Sequence, residues 1–194
     1  MRSERRLKKM EHVLRHRRPD LTVVMENIHD PHNVSAVYRT CDAAGVTCVQ
    51  LIYNSATFPR IGKKSSASAN KWVERREFHD VHSCYDKLHA EGFVVYATHC
   101  GDNAVSLYEA DLTQKAAIVI GNEHAGVSEE AARRADVLLH IPMFGMIQSL
   151  NVSVATAVIL FEAVRQRQAA GSPNQVKYTE EELQRLLKEW ALKR

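Results

Sequence analysis

Three stretches of this 194-residue chain place glycines, small polar groups and soft side chains at the end of apolar runs. Thr98–His99–Cys100–Gly101 ends the run FVVYAT, Gly121–Asn122–Glu123–His124–Ala125–Gly126 follows AAIVI, and Pro142–Met143–Phe144–Gly145–Met146 follows VLLHI. In open α/β sheets, ligands bind beyond the carboxyl ends of the strands, so these are the first places to look for chemistry. None carries G-x-G-x-x-G or G-x-x-x-x-G-K-[ST], which argues against a dinucleotide or a triphosphate. Glycines let a backbone approach a ligand closely, and methionine sulfur is polarizable. An adenine and a soft sulfonium suit such loops better than a string of phosphates.

Two further sets of polar residues stand out. Ser149 and Asn151 open a long apolar helix, Ser149–Gln168, where free N–H donors collect. From Leu150 to Phe161 that helix is apolar nearly all round, which predicts burial on most sides, within the fold or across a dimer. Asn33 and Arg39 lie six residues apart, about 600° of helical rotation, so they share no tight face. They converge only if Asn33 caps its helix and the chain turns there; the competing reading of Arg39 is a surface salt bridge.

The elements that must position these groups alternate between strand and helix. Residues 4–17 read as an amphipathic helix with Leu7, Met10, Val13 and Leu14 on one stripe, stopped by Pro19. Leu21–Glu26 is a strand, Asn33 caps a helix running to Ala44, Gly45 ends it, and Val46–Tyr53 is strand-like. Asn54–Lys71 reads as a long exposed loop, of a length uncommon without a function. A short strand at Val73–Phe78, a helix at Asp80–Glu91 and strands at Phe93–Thr98 and Ala116–Gly121 follow. A helix at Ser128–Ala135 and a strand at Val137–Ile141 lead into the long helix; after a linker at Gly171–Lys177, Thr179–Lys193 is a last amphipathic helix. This alternation predicts an α/β fold with a mainly parallel sheet flanked by helices. It also divides the chain into a basic N-terminal helix (1–18), one main domain (19–170) and a C-terminal helical extension (171–194).

Composition narrows the class. With 45% apolar and 25% charged residues the chain is ordinary for a globular protein, and its length buries enough surface to fold without staples. Cys41, Cys48, Cys84 and Cys100 have no C-x-x-C spacing and read as reduced thiols, not a disulfide framework or a zinc site. No apolar run is long enough to span a bilayer, and a cytoplasmic protein is expected. The net charge of +3 is uneven: residues 1–18 hold eight Lys/Arg against two acids, +6, and the rest holds 18 against 21, −3. A basic arm on a slightly acidic body suits a polyanion such as nucleic acid; a solvated basic helix is the bland alternative.

Taken together, N-V-S-A-V-Y-R-T (Asn33–Thr40), G-N-E-H-A-G-V-S (Gly121–Ser128) and I-P-M-F-G-M-I-Q-S-L-N-V-S-V-A (Ile141–Ala155) resemble the three motifs of the SPOUT class of RNA methyltransferases. The resemblance covers about residues 5–192 and is closest to the members that methylate the ribose 2′-hydroxyl of the D-loop guanosine at position 18 of tRNA. It implies a fold whose C-terminal part is threaded into a trefoil knot, S-adenosyl-L-methionine bound there, a homodimer, and no metal. By motif position it implies that Thr98, His99, Gly121, Asn122, Glu123, Ile141, Met143, Met146, Ser149 and Leu150 contact the cofactor. It implies catalytic roles for Arg39, Asn33, Asn151, Glu123 and Ser149, with Glu123 touching cofactor or buttressing its loop. Arg165 and Arg167 match basic residues near tRNA, to which the charged arm adds Arg6, Lys8, Lys9, Arg15 and Arg18, with His32 beside Asn33. A 2′-O-methyltransferase of ribosomal RNA or of another tRNA position, and a non-catalytic RNA-binding protein of the same fold, are the alternatives. A nucleotide-binding oxidoreductase is disfavoured by the missing glycine fingerprint.

Overall fold

β1 (Leu21–Glu26), β4 (Val94–Thr98) and β6 (Ala116–Ile120) are the apolar runs of the chain, and strands covered on both faces need such runs. The computed structural model, which describes residues 3–54, 57–59, 69–101, 103–171 and 177–193, puts all three inside a seven-stranded sheet. With β2 (Cys48–Ile52), β3 (Glu74–Phe78), β5 (Val105–Ser106) and β7 (Val137–His140), the order is β3-β2-β1-β6-β4-β7-β5. Every pairing between these strands is parallel. All strands therefore end on one edge, and the three glycine-bearing loops leave from it.

Alternation along β1 sorts the two helical layers. Leu21, Val23 and Met25 face α2 (Pro31–Ala44) and α5 (Val152–Ala169), which also pack against each other. Val24 joins Val95, Ala117 and Val119 beneath α3 (Val81–Ala90) and α4 (Glu129–Arg134). The terminal helices α1 (Glu4–Arg15) and α6 (Glu180–Leu192) pack on each other through Met10, Leu14, Leu183 and Trp190, with Trp72 alongside. Arg17 ties this cluster to the sheet: it pairs with Asp42 at 2.5 Å, donates to the Val46 carbonyl at 3.0 Å, and lies 5.1 Å from the Trp190 ring centroid.

The expected helices and strands are present, with instructive shifts. Asn33 is not the cap of α2: Asp30 caps it, its carboxylate accepting from the His32 amide at 2.8 Å, and Pro31 takes the first turn, where its missing N–H costs nothing. Asn33 thus sits inside the helix. α5 begins at Val152 with Asn151 as its cap, so Ser149 and Leu150 belong to the preceding loop. Within the single chain its burial is incomplete: Val154 and Phe161 are 47% and 51% exposed, which leaves that face to the dimer alternative. Most of the long loop before Lys71 and of the linker after Gly171 lies outside the described residues.

β5, too short to read from sequence, changes the path of the chain. Leu139 of β7 pairs with Thr98 on one side and Val105 on the other. The chain between Thr98 and Val105 therefore crosses from one flank of β7 to the other at the level where β7 ends. The crossing is fixed to β7 by the His99 amide donating to the Leu139 carbonyl at 2.9 Å, and by His140 Nδ1 lying 3.0 Å from the Ala104 carbonyl. Ile141 leaves the sheet beside this bridge.

Candidate active site

Three residues from distant parts of the chain meet at the carboxyl edge. Glu123, in the loop after β6, accepts at Oε1 from Asn33 Nδ2 (3.0 Å) and the Asp30 amide (3.2 Å), and at Oε2 from the His29 amide (3.2 Å). Asn33 Oδ1 in turn accepts from Asn151 Nδ2 at 3.0 Å. Asn151 Oδ1 is held by the Ser153 amide at 2.9 Å and hydroxyl at 2.7 Å. A relay Glu123–Asn33–Asn151–Ser153 thus joins the start of α2, the loop after β6 and the cap of α5. Partial burial pushes the Glu123 carboxyl upward, but the Asn33 amide and the backbone donors outweigh it and hold the carboxyl below its ordinary range. The turn before α2 is braced from the other side, where the Tyr53 hydroxyl donates to the Ile28 carbonyl at 2.8 Å.

The loop that carries Glu123 is shaped by its neighbours. A Cβ at Gly121 would collide with the Gly126 carbonyl and the Val127 nitrogen, so only glycine fits. Asn122 folds the loop: its Oδ1 accepts from the His124 and Ala125 amides (2.9 and 3.1 Å), and its Nδ2 donates to the Asn27 carbonyl at 2.9 Å. Its side chain is therefore engaged in building the loop.

The remaining cofactor residues from the sequence frame the same edge. The Thr98 hydroxyl donates to the Val119 carbonyl at 3.1 Å, tying β4 to β6, and His99 sits where a Cβ at Gly101 would come within 2.6 Å of Nε2. Ile141 and Met143 are half-buried, whereas Phe144, Met146 and Ile147 stand out into solvent. Ser149 is exposed and Leu150 half-buried.

Arg39 is exposed on α2 and pairs with no carboxylate among the described residues. It is not hydrogen-bonded to Asn33, whose amide is committed to Glu123 and Asn151. Six residues of helix put Arg39 about 9 Å along the axis from Asn33 and about a third of a turn around it. The structure brings together Asn33, Asn151 and Glu123, and sets Arg39 further along the same helix.

The basic residues separate into groups. Arg6, Lys9 and His32 are exposed, and the two cations are paired with no acid among the described residues. Lys8 pairs with Glu4 (2.7 Å), Arg15 with Glu11 and Glu180 (2.9 and 3.1 Å), and Arg165 with Glu162 (2.8 Å). Arg18 is half-buried, its amide on the Gly45 carbonyl. Arg167 requires correction. It is 2% exposed, pairs with Asp20 at 2.9 Å and donates to the Leu112 and Gln114 carbonyls, so it is a staple of the fold and cannot meet RNA. Helical phase carried that signal, because Thr156, Ile159, Leu160, Ala163 and Arg167 form one buried stripe while Arg165 points away. Arg17, which the sequence reading passed over, proves to be a second buried staple.

Residues 20–161 match the SpoU rRNA Methylase family. The chain belongs to this family. It is 46% identical over 192 residues to the tRNA (guanosine(18)-2′-O)-methyltransferase of Thermus thermophilus, covering 99% of this chain and 98% of that relative. Among solved structures, the TrmH/SpoU tRNA modifying enzyme of A. aeolicus is similar with a TM-score of 0.91 at 39% identity, over 97% of this chain and 95% of that one. The SpoU methyltransferase AviRb of Streptomyces viridochromogenes, solved in complex with the cofactor AdoMet, is similar with a TM-score of 0.69 at 27% identity, over 76% of this chain and 60% of that one. The Glu123–Asn33–Asn151 relay lies within the matched residues of this methylase family.

Proposed function

We propose that the protein transfers a methyl group from S-adenosyl-L-methionine to the ribose 2′-hydroxyl of guanosine 18 in tRNA. The observation that carries this reading is the likeness, over essentially the whole of both chains, to a relative named for that reaction. The residues at the edge fit the cofactor. Gly121 lets its loop fold back tightly on Gly126 and Val127, the surrounding loops carry few charges, and Met143 and Met146 are soft. Thr98, His99, Gly121, Ile141, Met143, Met146 and Leu150 would hold it, with Asn122 shaping the loop and Ser149 at the entrance to α5. When bound, S-adenosyl-L-methionine supplies an activated methyl group. Threading of residues 141–151 through the bridge beside β7, the trefoil knot of the family, belongs to the same proposal.

The chain's own task is to ready the acceptor. A ribose hydroxyl is weakly acidic, and a guanidinium with a pKa above about 12 is a poor base. Arg39 acts instead by stabilising the developing alkoxide and a neighbouring phosphate, which can collect the proton. Asn33 and Asn151, locked by the relay, present fixed amide edges to the ribose, and orientation of reacting groups is worth several kcal/mol, up to roughly 10. Glu123, with both oxygens occupied, is a positioning residue. Arg6 and Lys9, with no acid partner among the described residues, and the exposed His32 are the first groups for tRNA, and Lys8, Arg15, Arg18 and Arg165 contribute where RNA competes with their present contacts. A homodimer would cover the exposed apolar side chains of α5, Val154 and Phe161, together with those of the 144–147 loop. A tRNA-modifying protein of this kind works in the cytoplasm.

Arg39→Ala tests the assignment. Single-turnover methyl transfer to tRNA should fall roughly 100- to 1,000-fold, as for loss of a donor to a developing oxyanion, with cofactor affinity nearly unchanged. Near-normal transfer would refute the role of Arg39. Mapping of the methyl group to ribosomal RNA would refute the acceptor.

A further inference from the structure

Where β1 and β6 end side by side, a cavity of about 280 Å³ opens between Glu26, Asn27, His29, Asn122, Gly126 and Ser128. From β1 the chain turns through α2 to β2 on one side, while β6 lies on the other, and such a divergence at the carboxyl edge forms a natural crevice. Pockets that enclose a whole drug-sized ligand run from about 300 to 1,000 Å³, so this one suits a fragment the size of a nucleobase.

Its polar groups are few once those already engaged are set aside. Asn27 pairs through its amide with Asn54 at 2.8 Å, Asn122 holds its own loop, and the Ser128 hydroxyl accepts from the Ala131 amide at 3.2 Å. Glu26 remains. Its side chain is 2% exposed, its Oε2 accepts from the Ser128 amide at 2.9 Å, and its Oε1 accepts nothing among the described residues. A carboxylate oxygen that lines a cavity and accepts no protein donor is a ready acceptor for a ligand N–H. His29 remains as well. Asn122 Nδ2 lies 3.4 Å from its Nδ1, and in the tautomer that accepts there Nε2 is the donor. The cavity therefore offers one acceptor and one donor.

That pair complements the lactam edge of guanine, N1–H and C6=O. Adenine presents the reverse, an N1 acceptor beside an amino donor. Ala125 and Gly126 leave a small, smooth wall for the flat ring. The cavity also adjoins the relay, since the His29 amide donates to the same Glu123 carboxylate that accepts from Asn33. We propose that this cavity takes the base of the acceptor nucleotide, with Glu26 and His29 reading guanine while its ribose lies at the relay. The proposal rests on the reading of the protein as a guanosine 2′-O-methyltransferase.

The test uses tRNA transcripts with guanosine, inosine or adenosine at the acceptor position, and the wild-type protein, Glu26→Gln and Ala125→Trp. Inosine keeps the lactam edge and should be methylated comparably to guanosine, with adenosine roughly 100-fold or more worse in kcat/KM. Glu26→Gln keeps an oxygen for the Ser128 amide but sets a donor against N1–H. Its kcat/KM on guanosine should drop roughly 10- to 100-fold, and its preference over adenosine should shrink, with cofactor affinity unchanged. Ala125→Trp, in the exposed loop, fills the cavity and should lower kcat/KM in the same way, which keeps the idea testable if the first variant folds poorly. Transfer to guanosine by the wild type, with both variants retaining full kcat/KM and the wild-type base preference, overturns the base pocket alone. Absence of transfer to any transcript overturns the acceptor reading and the pocket with it.

Discussion

Asn33→Asp replaces one atom group of the relay and leaves its shape intact. The Asp oxygen that takes the place of Oδ1 still accepts from Asn151, at the observed 3.0 Å, but the Nδ2 donor 3.0 Å from Glu123 becomes a second carboxylate oxygen. Loss of a hydrogen bond to a charged group costs about 1.5–3 kcal/mol. Two unit charges about 3 Å apart at an effective dielectric near 20 repel by roughly 5 kcal/mol, an upper bound because the pair binds a proton instead of bearing the full repulsion. A net loss of about 2–4 kcal/mol at pH 8 is the expected outcome. The sign with pH follows from linkage. The new Asp carboxyl has a folded-state pKa raised above its unfolded value, near 3.9, so its penalty is present above the folded value and disappears as pH falls. Glu123 in the wild type works the other way: its lowered carboxyl stabilises the fold above the ordinary range and stops doing so only on further acidification. The comparison therefore belongs between pH 8 and pH 5. Urea unfolding, followed by tryptophan fluorescence at one fixed protein concentration, should show the gap between wild type and Asn33→Asp narrowing toward pH 5. The gap for Asn33→Ala, about 1–3 kcal/mol for the lost contacts, should stay constant. Equal, pH-independent losses in the two variants would refute the contact between Asn33 and Glu123 as the source of the effect.

Removing the N-terminal arm whole is a poor test of RNA binding, because Met10, Leu14 and Arg17 are packed into the fold. Arg6→Gln with Lys9→Gln changes charge alone, and each lost phosphate contact should lower the salt slope of tRNA binding by about 0.7–0.9, while an unchanged slope would return α1 to a solvated helix. Arg167→Met should leave that slope untouched yet cost about 2–4 kcal/mol of stability, since it removes the donor to the Leu112 and Gln114 carbonyls and leaves Asp20 with Lys177 alone. On the proposed dimer, the wild type should sediment as a dimer and Phe161→Asp as a monomer; a monomeric wild type would refute the dimer, and a dimeric variant would exclude Phe161 from the interface.

Periodicity made the sheet and its helical layers readable, since β1, β4 and β6 are apolar runs that only a doubly covered sheet accommodates. β5 was not readable, because two residues carry no period, yet it sends the chain across the end of β7. The start of α2 was misjudged by ranking Asn33 as the cap when Asp30 precedes a proline, the stronger signal. The basic residues were read by charge when helical phase would have set Arg167 apart from Arg165.

The role of Glu123 shows what pattern alone cannot supply. From sequence, it could touch a ligand or hold its loop, and nothing local decides between them. The structure engages both of its oxygens with the turn before α2, and through Asn33, 90 residues earlier, with Asn151, 118 residues beyond Asn33. A side chain with its acceptors so committed has little left for a ligand but strong control over three segments at once. Its energetic weight lies in keeping the Asn33 and Asn151 amides in one orientation: each is fixed by a donor or acceptor it cannot exchange without breaking the next link. Such a network is expected to act cooperatively, so single substitutions at Glu123, Asn33 and Asn151 should not add.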